Sequence, residues 1–151
     1  MSARAAALAL ALVACAAPQP APGPTPSSLT LPYDLPGGGR VELVVAPAYD
    51  VASPVRVEVV VRAGTSAVRG PRSGRILFTT LGGEQVVRLL PAEALGSVDV
   101  PPGGSARTAV VWDGRDDAGA AVPAETYSLA IEFESGGTTV LATTVVQLEQ
   151  R

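Results

Sequence analysis

The chain has 151 residues, 47% hydrophobic and only 17% charged, with 11 basic against 14 acidic side chains and a formal net charge of −3; this composition excludes wholesale disorder and leaves room for one domain plus addressing segments. It contains no His, Lys or Asn, so every basic residue is Arg, and Cys15 is the sole Cys. These absences exclude Ser-His-Asp and Cys-His nucleophile groups, Schiff-base and Walker lysines, His-ligated metals and any internal disulfide.

Met1 to Arg4 is short and positive, and Ala5 to Val13 is an unbroken apolar run. That run is shorter than the roughly 20 residues needed to span a bilayer. Its length suits the hydrophobic region of a signal peptide. It runs into Leu12-Val13-Ala14-Cys15, which resembles the lipobox of bacterial lipoproteins. The resemblance implies cleavage before Cys15 and acylation of that residue. Two or more acyl chains anchor stably where one holds only marginally. An ordinary secretory signal with an unrelated Cys is the alternative. Ala16, following the Cys, permits sorting to the outer membrane. The expected location is therefore the bacterial cell envelope, with the outer membrane or cell surface favoured over the inner membrane.

Residues 16–36 contain seven prolines, five of them at alternate positions from Pro18 to Pro26. Such spacing favours polyproline II and reads as a semi-rigid tether roughly 60 Å long. A proline-rich ligand for a small recognition domain is the competing reading. The expected organisation is residues 1–14 as signal peptide, 15–36 as lipidated Cys and linker, and 37–151 as the folded domain.

From Gly37 the pattern has period two. Val41, Leu43 and Val45 alternate with Arg40, Glu42 and Val44, and Val55, Val57, Val59 and Val61 alternate with Arg56, Glu58, Val60 and Arg62. These are half-buried strands. Ile76 to Thr80 predicts a third strand, and Leu81-Gly82-Gly83-Glu84 a two-residue hairpin into Gln85 to Leu89. Pro91 to Leu95, closed by Gly96, predicts one helical turn. Val98 to Val100 and Ala106 to Trp112 follow as strands. Tyr127, Leu129, Ile131 and Phe133 mark another, and Ser135-Gly136-Gly137-Thr138 turns into a last one ending near Leu148. The fold class expected is an all-β, immunoglobulin-like antiparallel sandwich of seven or eight strands. Trp112, Phe78, Phe133 and the Val stripe are its expected core.

One stretch carries a family resemblance. Val110 to Gly119, followed by Val122-Pro123-Ala124-Glu125-Thr126-Tyr127, resembles a Trp-Asp-Gly hairpin found in two bacterial groups. These are the immunoglobulin-like domain of flagellar hook-capping proteins and the intracellular proteinase inhibitor family of bacilli. The inhibitor family resembles more of the chain, roughly Arg40 to Glu134. Its early strand matches Val55 to Val61, its central hairpin Ile76 to Arg88, and its entry to the Trp strand Val98 to Ser105. The resemblance implies an immunoglobulin-like fold and proteinase inhibition through an exposed loop. Two positions depart from it. Glu125 stands where the family has Gly, a place often needing positive φ, so strain is expected there. Val86-Val87-Arg88 stands where the family's central hairpin carries Trp.

Asp113, Asp116 and Asp117 share one Gly-containing loop, the kind of cluster that hard cations prefer. Ala118 and Ala124 occupy the positions where an EF-hand would need Gly and Glu, and Asp residues also initiate turns unaided. No metal or cofactor is therefore expected. Glycoside hydrolysis lacks sugar-stacking surface, with six aromatic residues in all. The negative charge disfavours nucleic acid, and no enzyme activity is expected.

The remaining signal is charge asymmetry. Between Glu58 and Glu84 there is no acid but there are four arginines, Arg62, Arg69, Arg72 and Arg75. Asp113 to Glu134 holds six acids against Arg115. The tract from Gly64 to Gly74 is expected to be an exposed loop, with Arg69 and Arg72 as candidate interaction residues. Two functions are in view. One is a lipid-anchored, non-catalytic module binding another envelope protein, and the other is a proteinase inhibitor acting through an exposed loop.

Overall fold

Alternating Val and polar residues produce strands wherever the sequence sustains them, and turn glycines separate them. A computed structural model describes residues 27–71, 76–96 and 98–151. The lipobox, Cys15, the first five prolines of the tether and Arg72 lie outside those residues. Among the described residues there are eleven strands: β1 (Leu29–Leu35), β2 (Gly39–Val45), β3 (Tyr49–Asp50), β4 (Val55–Arg62), β5 (Val68–Arg69), β6 (Ile76–Thr80), β7 (Val86–Leu90), β8 (Asp99–Val100), β9 (Ser105–Trp112), β10 (Thr126–Ser135) and β11 (Thr138–Glu149). Eight have five residues or more, and β3, β5 and β8 have two each.

They form two sheets. The first has the order β1-β2-β4-β9. The second runs β3-β11-β10, and β10 then pairs with β6 along its first half and with β5 at its end. β7 adds to β6, and β8 adds to β5. The chain passes from β4 in one sheet to β6 in the other, returns to β9 beside β4, then crosses to β10 beside β6. With β3 parallel to β11, this is an immunoglobulin-like β-sandwich.

The expected inward faces are the ones buried. Val41, Leu43, Val55, Val57, Val59 and Val61 of the first sheet have no exposed surface, and Phe78, Leu129 and Ile131 of the second match them. Trp112 lies fully buried between the sheets. The turn Ala92–Leu95 is a 3-10 helix that lays buried Leu95 on the core. The Thr108 hydroxyl donates to the Leu95 carbonyl and ties this turn to β9.

Three expectations need correction. Leu29–Leu35, read as tether because of Pro32 and Pro36, is β1, paired with β2 along its whole length. A proline is tolerated on an edge strand when its missing N–H faces away from the neighbour. The Leu81–Glu84 connection is longer than a two-residue hairpin, because Thr80 N donates to Gln85 O and the register slips between Phe78 and Thr79. This β-bulge sets Val86 opposite Thr79. The tract beginning at Gly64 is not a simple exposed loop either. Val68 and Pro71 are buried, and β5 bridges β10 and β8. Gly64 itself is packed so closely that a Cβ there would stand 1.9 Å from Gly37 O.

Candidate interaction surface

The Trp-Asp-Gly hairpin is clamped at both ends by ring side chains. Trp112 stacks on Phe78, centroids 4.3 Å apart, and meets Tyr127 edge-on at 5.3 Å. Its Nε1 donates to Arg115 O at 2.7 Å. Beyond the loop, Tyr127 Oη donates to Pro123 O at 2.9 Å, a tyrosine corner of the kind found in immunoglobulin-like sandwiches. Both polar tips of the buried rings are thus satisfied by the loop between them.

Within that loop the acidic residues organise backbone. Asp113 Oδ1 accepts from Arg115 N at 3.1 Å, and Asp116 Oδ1 accepts from Ala120 N at 2.8 Å. Asp117 reaches the free edge of β7. Its N–H donates to Val87 O at 3.1 Å, and its Oδ1 accepts from Leu89 N at 3.1 Å. Arg88 Nη1 donates to Asp116 O and lies 3.7 Å from Asp117 Oδ1. The loop therefore bonds to an edge that would otherwise stay open.

Between this loop and β7 lies a cleft of about 380 Å³. Its lining includes Val86, Val87, Val122 and Tyr127, together with Asp116, Asp117 and Glu125. The expected strain at Glu125 is absent, since no non-Gly described residue has positive φ. Its carbonyl instead accepts from Leu148 N at 2.9 Å. Burial pushes the Tyr127 phenol above its ordinary pKa, and the nearby charge of Glu125 adds to the shift.

The two outer faces differ in chemistry. On the first sheet the outer face carries three cross-strand ion pairs, Arg40 with Asp34 at 2.8 Å, Arg62 with Glu42 at 2.7 Å, and Arg107 with Glu58 at 3.9 Å, and exposes Arg56 beside Val111. On the second sheet, Val86, Thr79, Ser128 and Val145 form one row across four strands, and Leu89, Leu77, Ala130 and Thr143 form the next. Val86, Leu89, Leu141 and Val145 are each half-exposed, at 50–53%. Strands β6, β10 and β11 carry no basic residue.

The candidate interaction residue Arg69 lies on β5, opposite Glu134 in register and 3.7 Å from Asp99. Arg62 pairs with Glu42. The basic excess along the chain is thus offset, at these two residues, by acids brought from distant segments. The half-exposed apolar residues were not among the expected site residues. Their signal was the run Val86-Val87-Arg88-Leu89-Leu90, where apolar side chains fill both faces of an edge strand. Comparison of the chain with protein-family models, curated proteins and solved structures returned no match.

Proposed function

We propose that the protein is a lipid-anchored lipoprotein of the bacterial cell envelope that presents a non-catalytic immunoglobulin-like module to a protein partner. The observation carrying this reading is the contrast between the faces of the sandwich. One outer face carries three cross-strand ion pairs and a single half-exposed valine, Val111, whereas the other groups four half-exposed apolar residues, Val86, Leu89, Leu141 and Val145. Exposed apolar surface is costly to keep unless something covers it. The lipobox-like Leu12-Val13-Ala14-Cys15 and the alternating prolines after it supply an anchor and a spacer.

The test takes the full chain and its Cys15→Ala variant through membrane fractionation, with crosslinking of intact cells. The expected outcome is that Cys15→Ala leaves the membrane fraction or accumulates as precursor. A crosslinked partner should be lost on Leu89→Ser with Val145→Ser. A variant lacking Cys15 that stays membrane-bound and normally processed would sink the anchor. Unchanged crosslinking of the double variant would sink the module.

Proteinase inhibition is the second reading, favoured by the loop fixed between Trp112 Nε1 and Tyr127 Oη. A loop held at both ends loses little freedom on entering a proteinase cleft. Inhibition of secreted serine proteinases by the parent chain, abolished by substitutions at Ala118 and Gly119, would establish it. Absence of inhibition would remove it.

A further inference from the structure

We propose that the cleft between β7 and the loop of residues 113–125 receives a partner segment in which Arg or Lys is flanked by apolar residues. This deepens the reading of the domain as an interaction module, on which it rests. The argument starts from what the cleft offers. Val87, Val122 and Tyr127 line it, and Val86 belongs both to the cleft and to the exposed apolar row of the second sheet. An occupant can therefore lie on the apolar face and enter the cleft without a break.

The acids that line the cleft are not equivalent. Asp116 Oδ1 is taken by Ala120 N, and Asp117 Oδ1 by Leu89 N with Arg88 nearby. Glu125 is exposed and, among the described residues, its carboxylate makes no hydrogen bond or ion pair. No basic residue lies anywhere from Ala120 to Gln150, so this chain brings Glu125 no counter-charge from that half of the second sheet. A cation beside an apolar surface is what such a site would select, the charge giving register and the apolar contact giving affinity.

The alternatives fit less well. An anionic lipid surface would be repelled by Glu125, Asp116 and Asp117. A second copy would bring another chain of net charge −3, in which Arg40, Arg62, Arg69 and Arg107 are each within ion-pair distance of an acid of its own; Arg56 is exposed without such a partner among the described residues, so the test includes a dimer arm.

The experiment uses the detergent-solubilised full chain and three fluorescent ten-residue peptides alternating Leu with Arg, Ser or Glu. Anisotropy is read at low ionic strength, where screening is least. The Leu-Arg peptide should bind, and the other two should not. Glu125→Gln, and separately Val86→Ser, should each weaken binding about tenfold, with thermal midpoints checked to show that both variants are folded. Glu93→Gln removes the same charge from the turn before Gly96 and should leave binding unchanged. Equal binding to the parent and Glu125→Gln, equal weakening by Glu93→Gln, or capture of the Leu-Glu peptide would each overturn the proposal. So would a dimer, seen by light scattering, whose formation blocks the peptide. An envelope partner lost on Leu141→Ser but retained by Glu125→Gln would leave the module standing and remove this site alone.

Discussion

Tyr127 joins three parts of the fold at one residue. Its ring packs edge-on against Trp112, its strand position pairs with Thr80 and Val146, and its hydroxyl holds Pro123. Tyr127→Phe keeps the ring and removes only the hydrogen bond. The expected cost is about 1–2 kcal/mol, since a half-buried carbonyl loses its donor while the apolar packing survives. A shift of the urea midpoint at constant slope would show it, and an unchanged midpoint would mean that water replaces the hydroxyl. Trp112 differs in kind, because truncation to Ala would empty the centre of the core and cost ~3–5 kcal/mol. The burial of Trp112 was legible from its place at the end of an apolar strand before a turn. The tyrosine corner was not, because the motif that joins Pro123 to Tyr127 gives no sign of the hydrogen bond that forms when the chain bends. Gly64 was equally illegible. Its need for a bare backbone comes from Gly37, 27 positions earlier in the chain, whose carbonyl also accepts from Thr65 N.

At the scale of elements, β7 is a sheet edge, and edges invite pairing with other chains. Asp117 occupies this one as a neighbouring strand would, donating from its backbone to Val87 O and accepting through its carboxylate from Leu89 N. Asp117→Ala should leave the fold intact but unbind the Leu89 amide. Its hydrogen exchange should quicken about tenfold, the equivalent of ~1.4 kcal/mol of local protection. Light scattering should also show concentration-dependent association through the uncovered edge. Unchanged exchange at Leu89 would mean that the backbone bond of Asp117 guards the edge alone. The longer elements were readable because period two persists in them. Val55 to Val61 and Tyr127 to Phe133 allow no other pattern, and Gly136-Gly137, with φ of 57° and 78°, forms the tight turn that the sequence predicts. Of the two-residue strands, β8 was readable within Val98 to Val100, whereas β3 and β5 are too short for any period. β1 was hidden by its prolines, although Leu29, Leu31, Tyr33 and Leu35 alternate through them. The bulge at Thr79 has no local signature, because it is set by how β6 meets β7.

Over the whole molecule, charge along the chain and charge in space are different quantities. In the arginine-rich stretch after Glu58, Glu42 answers Arg62, and Glu134 and Asp99 flank Arg69, so at these two residues the charge read along the chain is offset in space. In the acidic stretch after Asp113, Arg88 answers Asp117 and Arg69 stands opposite Glu134, whereas Glu125 makes no ion pair among the described residues. Glu125 was visible in the sequence as a departure from the resembled family, but its place in a cleft lined by Val86, Val87 and Val122 was not. One molecular property does follow from composition. From Ala16 onward there is no His, Lys or Cys, so no side chain titrates between the carboxylates and the tyrosines, and arginine stays charged throughout. Stability should therefore be flat from about pH 6 to about pH 9. Above that range Tyr49 and Tyr127 decide. Burial raises both phenols above the ordinary value of 10.0; for Tyr49 a hydrogen bond from Ala46 N opposes the rise, and for Tyr127 the charge of Glu125 reinforces it. A folded-state value above the unfolded one means that the unfolded chain releases its protons first. The stability these groups contribute is thus complete below pH 10.0 and lost as pH rises through their folded values. Urea midpoints followed with tyrosinate absorbance should hold level to about pH 9 and then fall as the phenols ionise. In Tyr49→Phe with Tyr127→Phe the midpoint should start lower and fall less over the same range. A midpoint that drifts through neutral pH, or an alkaline fall as steep in the double variant as in the parent, would show that other groups control the stability of this sandwich.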